Sequence, residues 1–395
     1  MSDSNRVSLR YVEEATYGAV PSASGTAAMQ DLRFLSEGFK QTTAMEESAE
    51  IRSDRQIADV KRTDINAEGP LAFELSYDSF DDFLAAALLS AGWSSTASAD
   101  GTDLSFDNAS AEIRSTTDDD FASFSANQWI EVKDSTSNDG YYKISSVTDL
   151  NLGGGEENNV LVVTHGTITD EAAGEDITIT MGAQIVNGTT STSYTIEKEF
   201  KDLTQEFAYY TGMMIDTMNL NFAAAELITG DFGFIGVKET SNTVTQTYST
   251  ASAVNSNPIM SGVDDVSYMY EAAASKATNS VSLSLGNNLR RRTNLATLGT
   301  VSIGKGSISL SGSMEAYFAS KTLLDKYLAE TATQLSLVLQ DSDGNGYIID
   351  MPQVRISDGS RVADGKDGDV IEKINWTAYR DSSEDITIRI AKFAA

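Results

Sequence analysis

The chain has 395 residues, no cysteine, and 58 acidic against 28 basic residues, which gives a formal net charge of −30. This charge argues against a protein that grips nucleic acid through its phosphates, and the lack of cysteine excludes disulfides and thiolate metal sites. No apolar run approaches the ~18 residues of a membrane span, and the N-terminus lacks an apolar stretch, so we expect a soluble protein without a common secretion signal.

The first 65 residues predict an arm followed by a long hairpin. Val7, Leu9 and Tyr11 alternate with polar residues, which is typical of a strand. Two further alternating segments, at 32–39 and 57–65, flank a charged middle at 46–55. This arrangement predicts a hairpin whose tip projects into solvent or into a neighbouring molecule.

Residues 69–93 combine a strand with an amphipathic helix. The alternating apolar residues of the strand are Leu71, Phe73, Leu75 and Tyr77. The apolar stripe of the helix consists of Phe80, Phe83, Leu84, Ala87 and Leu88. Ser79, with Asp82 three residues later, is predicted to cap the helix, and Gly92 to end it.

Residues 95–190 predict a small inserted β module. Short strands at 129–132, 141–144 and 160–163 are separated by turns rich in Asn, Asp and Gly. The module carries His165, the single histidine of the chain. We assign His165 a structural or solvated role, because one histidine without cysteine cannot form the usual zinc site or a nucleophilic triad.

The strand and helix of residues 69–93 have a counterpart at 306–328. The counterpart strand contains Ile308, Leu310 and Met314. The predicted helix stripe consists of Tyr317, Phe318, Leu323, Leu324, Tyr327 and Leu328, with Ser320 as its cap. A hairpin also precedes it: Val281, Leu283 and Leu285 alternate, arginines crowd the middle, and Val301 and Ile303 resume the strand pattern. We interpret the two copies as an internal duplication.

The predicted fold is therefore mainly β, with two related β-sandwich or barrel units, each with one flanking α-helix, and the small inserted module. The first unit is predicted to comprise residues 1–94 and 191–240, and the module 95–190. A connection covers 241–275, and the second unit 276–395.

The sharpest short motif is DSDGNG at 341–346, which matches the first half of a calcium loop. The second half does not match, because Pro352 stands where a bidentate Glu is required. An Asn-Gly hairpin turn explains the same residues, and we favour it. Adjacent acidic pairs are expected in so acidic a chain, so we predict no catalytic residue, cofactor or metal.

Basic residues within an acidic chain suggest self-assembly instead. Arginines occur in both predicted hairpins, where they can form bidentate pairs with carboxylates of a second copy. The candidate interface residues are Glu46, Glu47, Arg52, Asp54, Arg55, Asp59, Arg290, Arg291 and Arg292. A solvated hairpin tip is the alternative.

Several longer stretches resemble the tail tube (major tail) proteins of long-tailed, siphovirus-type bacteriophages. These stretches are YVEEATYGAVP, IRSDRQIADVKRT, FELSYDSFDDFLAAAL, STSNDGYYKISSV, SYTIEKEF, YTGMMIDTMNLNF and TGDFGFIG. The resemblance implies a virion structural protein, not an enzyme, whose sheets join edge to edge into rings. The rings stack into a hollow tube through which phage DNA passes without specific binding.

The resemblance also implies positions and partners. A helix would pack outside a β-sandwich, a curved sheet would line the lumen, and the hairpin at 46–59 with the N-terminal arm would reach the next ring. Besides itself, the chain would contact tape measure, tail terminator and distal tail proteins, and no membrane, after assembly in the host cytoplasm. A duplicated unit favours three chains per ring imitating six-fold symmetry; six chains per ring is the alternative. The module would face outward.

Two other function classes remain open from the residues. The first is an acidic β-rich binding or adhesion module, with calcium at 341–345. The second is a glycan hydrolase using two carboxylates. Calcium-dependent stabilisation would favour the binding module, whereas concentration-dependent polymerisation would favour the tube subunit.

Overall fold

The computed structural model describes residues 2–21, 29–149, 158–204, 206–242, 252–363, 365–366 and 368–395. Within these ranges the chain is mainly β and carries two short α-helices, which confirms the predicted fold class.

The first elements follow the predicted order of arm, hairpin and helix. They are β1 (Val7–Glu13), β2 (Gln30–Leu32), β3 (Ser36–Glu37), β4 (Lys40–Glu47), β5 (Val60–Glu74) and α1 (Asp81–Ala87). The predicted hairpin is present, but its first strand is β4 and not residues 32–39. Glu46 and Glu47 therefore lie on a strand, paired with Lys61 and Val60.

The predicted ends of α1 are wrong. Phe80 occupies the N-cap position, and no side chain caps the helix. The Ser79 hydroxyl instead donates to Asn255 Oδ1 at 2.8 Å. The helix ends before Gly92, because Leu89 already adopts a left-handed φ of 49°.

Seven strands between Ala97 and Met181 form a separate antiparallel sheet. Its strands are β6 (Ala97–Gly101), β7 (Ser105–Asp107), β8 (Glu112–Arg114), β9 (Trp129–Lys133), β10 (Gly140–Thr148), β11 (Val160–Thr164) and β12 (Ile177–Met181). They lie in the order β6, β12, β9, β10, β11, β8, β7. The sheet has its own buried cluster, which includes Leu104, Phe121 and Ile130.

The remaining elements are β13 (Ala183–Val186), β14 (Tyr194–Phe200), β15 (Phe207–Ala223), β16 (Thr229–Gly236), β17 (Lys238–Asn242), β18 (Val266–Glu271), β19 (Ala274–Ser275), β20 (Thr278–Gly286), β21 (Arg290–Arg292), β22 (Ser302–Gly304), β23 (Ser309–Tyr317), α2 (Thr322–Leu328), β24 (Thr333–Gln340), β25 (Gly346–Ala363), β26 (Val370–Ala378) and β27 (Arg389–Phe393). Most of these remaining strands belong to the larger sheet, and β21 and β22 form a separate two-stranded one. The described part of the predicted connection thus contains strands, of which β18 pairs with β24.

The helix stripe predicted from Tyr317 is partly wrong. Tyr317 is the last residue of β23, and α2 begins only at Thr322 after the N-cap residue Lys321. Leu323 is its one buried residue, whereas Leu328 is 69% exposed. The alternation of β23 continues through Tyr317, so a helical pattern read from that residue misplaces the boundary.

Eight antiparallel strands form the centre of the molecule, in the order β4, β5, β16, β15, β20, β23, β26, β25. The pairing order is the same in both halves: β14, β15, β16 and β5 are consecutive neighbours, and so are β24, β25, β26 and β23. The β15–β20 pair joins the halves. The second predicted hairpin is present, but Arg290–Arg292 form its first strand, β21, which pairs with β22, whereas β20 pairs with β23.

The buried face of this sheet carries the main core. Phe83 of α1 packs between Phe232 and Phe234 of β16, with ring centroids 5.7 Å and 5.5 Å away. Burying one such side chain contributes roughly 1.5–3 kcal/mol. In the second half, the indole of Trp376 lies over Gly312, where a Cβ atom would come within 2.3 Å of the ring. Aromatic packing therefore fixes the positions of both halves of the sheet.

Candidate assembly interface

The opposite face of the eight-stranded sheet is open and polar. The pairing registers place one row of side chains across it, in the order Ala72, Asp231, Asn219, Ser284, Ser311, Thr377 and Arg355. None of these residues is buried. Small hydroxyl and amide side chains dominate, so the face offers no apolar surface for another domain of the chain to cover.

The hairpin of β4 and β5 leaves this sheet as a projecting arm, which we define as residues 43–63. Nearly every arm residue is exposed, on both faces of the ribbon. The exposed residues include apolar ones: Met45, Ile57 and Val60 are 66%, 57% and 48% exposed, and Ile51 at the tip is fully exposed. Covering such apolar side chains with another surface is energetically favourable, so the arm is suited to contact a second molecule.

The candidate charged residues of the first hairpin lie on this arm, and the ion pairs that they form are with other residues of the arm. Arg52 binds Asp54 through two nitrogens, at 3.0 Å and 2.6 Å, within the tip. The Asp59 carboxylate lies 2.8 Å from Lys61. Arg55 is exposed with a φ of 59°, a left-handed conformation in the turn. These exposed pairs contribute little to stability of the subunit.

The second arginine group has a different environment. The hairpin of β21 and β22 lies against β5 of the same chain, where Arg291 Nη2 donates to Glu68 Oε2 at 3.0 Å and to the Ala67 carbonyl at 3.2 Å. Thr300 in the hairpin tip adds a hydrogen bond to Asn66 Oδ1. Arg290 and Arg292 remain exposed.

The arginines do not lie at matching points of the two hairpins. Glu46 pairs with Lys61 in the first hairpin, and Arg290 pairs with Gly304 at the corresponding place in the second. The acidic residues of β4 therefore correspond to arginines of β21. The two candidate groups thus differ in environment: the β21–β22 hairpin docks against β5 at the base of the arm, whereas the arm itself makes no contact beyond its base with the described part of the chain.

Comparison with known proteins decides the family. A sequence model described as phage tail tube protein matches residues 4–378, nearly the whole chain. The chain belongs to the phage tail tube protein family. Among curated proteins, none matches significantly. The tail tube protein is accordingly a structural component of a phage tail, which agrees with the predicted class.

The tail tube protein also holds a buried ionic cluster that sequence reasoning missed. Lys143 of the seven-stranded sheet lies 2.9 Å from both Asp350 and Glu384, and Arg389 contacts the same carboxylates at 3.3 Å and 2.8 Å. Burial alone would raise the pKa of Asp350, but Lys143 and Arg389 outweigh it and lower that pKa to about 2. The cluster fixes the seven-stranded sheet to the second half of the larger one.

A second polar group joins the two halves of the tail tube protein. Tyr347 of β25 donates to the Asp81 carboxylate at the start of α1, and Lys392 pairs with the other carboxylate oxygen. Burial raises the pKa of Asp81 to about 6. These partners are hundreds of residues apart in sequence, so local patterns could not reveal them.

His165 is buried between aromatic rings. Its ring centroid lies 4.9 Å from that of Trp129 and 5.4 Å from that of Tyr270, and burial lowers its pKa to about 4. An imidazole that stays neutral in this apolar contact suits a packing role.

The residues of the calcium-like motif form a turn. Asp341 accepts hydrogen bonds from the backbone N–H groups of Asp343 and Asn345, at 3.0 Å and 2.9 Å. Over the described part of the chain, no group of three or more His, Asp or Glu side chains is placed to hold a metal. Nor is any helix in those ranges long and apolar enough to cross a membrane.

Proposed function

We propose that this tail tube protein polymerises with copies of itself into stacked rings, which form the hollow tube for DNA passage. The observation that carries the proposal is the arm at 43–63, which is exposed on both faces. A lone two-stranded ribbon is marginally stable in water, so the arm gains most when another molecule covers it. A copy in the next ring supplies that surface.

The open face of the eight-stranded sheet supports its assignment to the lumen. Hydroxyl, amide and carboxylate side chains neither attract phosphates nor bury apolar surface. Cations are few on this face: Lys373 lies 2.7 Å from the carboxylate of Glu315, and Arg355 and Lys40 are exposed near its two edges. DNA therefore slides along a surface that does not retain it.

The matching pairing orders of the two halves support two equivalent units per chain. On this basis three chains form a ring and imitate six-fold symmetry. The seven-stranded sheet lies on the outside of the tube. Tape measure, tail terminator and distal tail proteins are further partners, and assembly takes place in the host cytoplasm before the tail joins the virion.

The arm's charged residues contribute orientation to ring stacking. Glu46, Glu47, Asp54 and Asp59 give the arm an acidic character. Arg52 can exchange its contact with Asp54 for a carboxylate of the next copy, and the exposed Arg55 can bind another. Arg290 and Arg292 are exposed beside the base of the arm and complete the interface.

A charge-reversal pair tests this role. We expect Arg52→Glu with Arg55→Glu to abolish or sharply reduce tubes in negative-stain electron microscopy, with unchanged urea unfolding. The matched control, Lys321→Glu with Arg380→Glu, changes the charge equally at exposed residues that also have local acidic partners. The control should form normal tubes.

Ring end-views measure the symmetry in the same images. Three-fold or pseudo-six-fold rings support the duplicated unit, and true six-fold rings contradict it. Normal tubes from the arm variant would remove Arg52 and Arg55 from the interface. If wild-type protein stayed monomeric at every concentration and salt level, with or without tail proteins that nucleate assembly, the polymerisation proposal would fail.

A further inference from the structure

We propose that a second copy of this chain pairs with the outer edge of β25 through its β3–β4 edge, in a register that the molecule already displays internally. The inference rests on the proposed ring and specifies its joint. Along the described strands, residues 355–363 of β25 pair only with β26, and β4 pairs only with β5. Both outermost strands of the eight-stranded sheet thus present backbone groups that no neighbouring strand pairs. Phe39 is the exception on the β3–β4 edge: its N–H donates to Glu37 and its carbonyl accepts from the Tyr210 hydroxyl, so these two local bonds must be exchanged when a second copy pairs there.

The first step is the correspondence between β15 and β25. Each contains a bulge where it pairs with the following strand, at Thr217 in β15 and at Asp358 in β25. Each strand also has a register shift where it pairs with the preceding strand, next to Met213 in β15 and next to Val354 in β25. The two comparisons agree, since 358 − 217 and 354 − 213 both equal 141.

The second step relates the β3–β4 edge to β20. Phe232 of β16 and Ile374 of β26 are equivalent by the same bulges, and they pair with Leu71 and Met314 respectively. On their other side, Leu71 pairs with Glu37 of β3 and Met314 pairs with Val281 of β20. The difference 281 − 37 is 244.

The hairpins confirm this correspondence independently. Glu46 and Arg290 also differ by 244 positions, and their partners Lys61 and Gly304 differ by 243, as Leu71 and Met314 do. The edge formed by β3 and β4 is therefore equivalent to β20, and residues 358–363 of β25 are equivalent to the part of β15 that β20 covers.

The internal β15–β20 pairing then gives the register between copies. It runs from Thr217 opposite Gly286 to Phe222 opposite Val281. Transferred to the outer edges, it places Asp358 opposite Thr42, Gly359 opposite Gln41, Ser360 opposite Lys40, Arg361 opposite Phe39, Val362 opposite Gly38, and Ala363 opposite Glu37.

The side chains fit this register. Asp358 and Lys40 become diagonal neighbours on the open face, with opposite charges, and both are exposed in the isolated chain. Ser360 opposite Lys40 repeats the place of Asn219 opposite Ser284. A slip of one residue would turn the polar row of the incoming strand toward the core, so the register is strongly specified.

Cysteine pairs test the register, because the chain has no cysteine of its own. Lys40→Cys with Ser360→Cys should form disulfides between copies when assembled tubes are mildly oxidised, giving a ladder on denaturing gels that ends at the closed ring. The internal control, Asn219→Cys with Ser284→Cys, occupies the equivalent pair and should cross-link within one chain. The register control, Lys40→Cys with Asp358→Cys, places the sulfurs two residues out of register.

We expect at least tenfold more intermolecular product from the Ser360 pair than from the Asp358 pair, and a largest band of three chains. A mixture of the two single variants, Lys40→Cys and Ser360→Cys, should stop at dimers. Tubes in the electron microscope without this preference would overturn the register and leave the tube function standing. A ladder that ends at six chains would overturn the three-chain ring.

Discussion

The single histidine provides a sharp test of the packing between the two sheets. Replacing His165 by Asn keeps a residue that tolerates the left-handed φ of 65° and removes the titrating ring. The unfolded chain protonates His165 near pH 6.5, whereas in the folded chain burial lowers the pKa to about 4. Between these values the unfolded state binds more protons, so the free energy of unfolding falls as pH falls.

The magnitude follows from the two pKa values. The full difference corresponds to about 3 kcal/mol, of which about 2 kcal/mol is already lost at pH 5 relative to pH 7.5. Asp81 acts in the opposite direction, because its pKa is raised to about 6 and its folded form binds the extra proton. It offsets roughly 1 kcal/mol at pH 5, so the wild-type profile alone is not diagnostic.

The assay therefore compares two proteins at two pH values. Urea unfolding of dilute, monomeric wild-type and His165→Asn chains at pH 7.5 and 5.0 should show that the variant lacks the loss of about 2 kcal/mol. Loss of the contacts with Trp129 and Tyr270 also destabilises the variant, but equally at both pH values. A histidine-labelled NMR titration gives one imidazole signal; a midpoint near 6.5, or identical pH dependence of the two chains, would refute the reasoning.

Two further outcomes concern stability. Asp350→Asn should cost about 3–5 kcal/mol in urea unfolding, because Lys143 and its neighbours lose a buried counter-charge; a loss below about 1 kcal/mol would contradict the cluster's importance. The free energy of unfolding of this variant should also depend less on pH between pH 4 and pH 2. In the wild-type chain the lowered pKa of Asp350 stabilises the fold above about pH 4, and this contribution is lost toward pH 2. Gly312→Ala should destabilise by about 1–3 kcal/mol through clashes with the Ser282 carbonyl oxygen and with the indole of Trp376, whereas Gly286→Ala, which meets only a serine hydroxyl at 2.9 Å, should be close to neutral by thermal melting.

Local patterns predicted those parts of the fold that local physics determines. Alternation identified β5, whose Leu71 and Phe73 are fully buried, and helical spacing identified α1 with Phe83 on its buried face. The hairpin arm followed from the charged run between two alternating segments. In each case the burial pattern repeats within a few residues, which is the range that sequence periodicity can report.

Features set by distant residues were not predictable in this way. Lys143, Asp350 and Arg389 look like ordinary surface charges until the fold brings them together. The cap expected from Ser79 failed because the helix begins at Asp81 with Phe80 at the N-cap position, and the Ser79 hydroxyl bonds to Asn255, far along the chain, instead. The role of Arg291 in the candidate interface was unpredictable for the same reason, since it forms an ion pair with Glu68, a distant residue of its own chain.

The β15–β20 pair that links the two halves has a thermodynamic consequence. Joining two separate molecules costs an estimated 4–15 kcal/mol of translational and rotational freedom, whereas joining two parts of one chain does not. The covalent connection gives this joint an effective concentration of millimolar order or more, independent of how much protein the cell contains. A ring built from such chains needs one bimolecular encounter for every two units, and so it nucleates at lower protein concentration than a ring of single units.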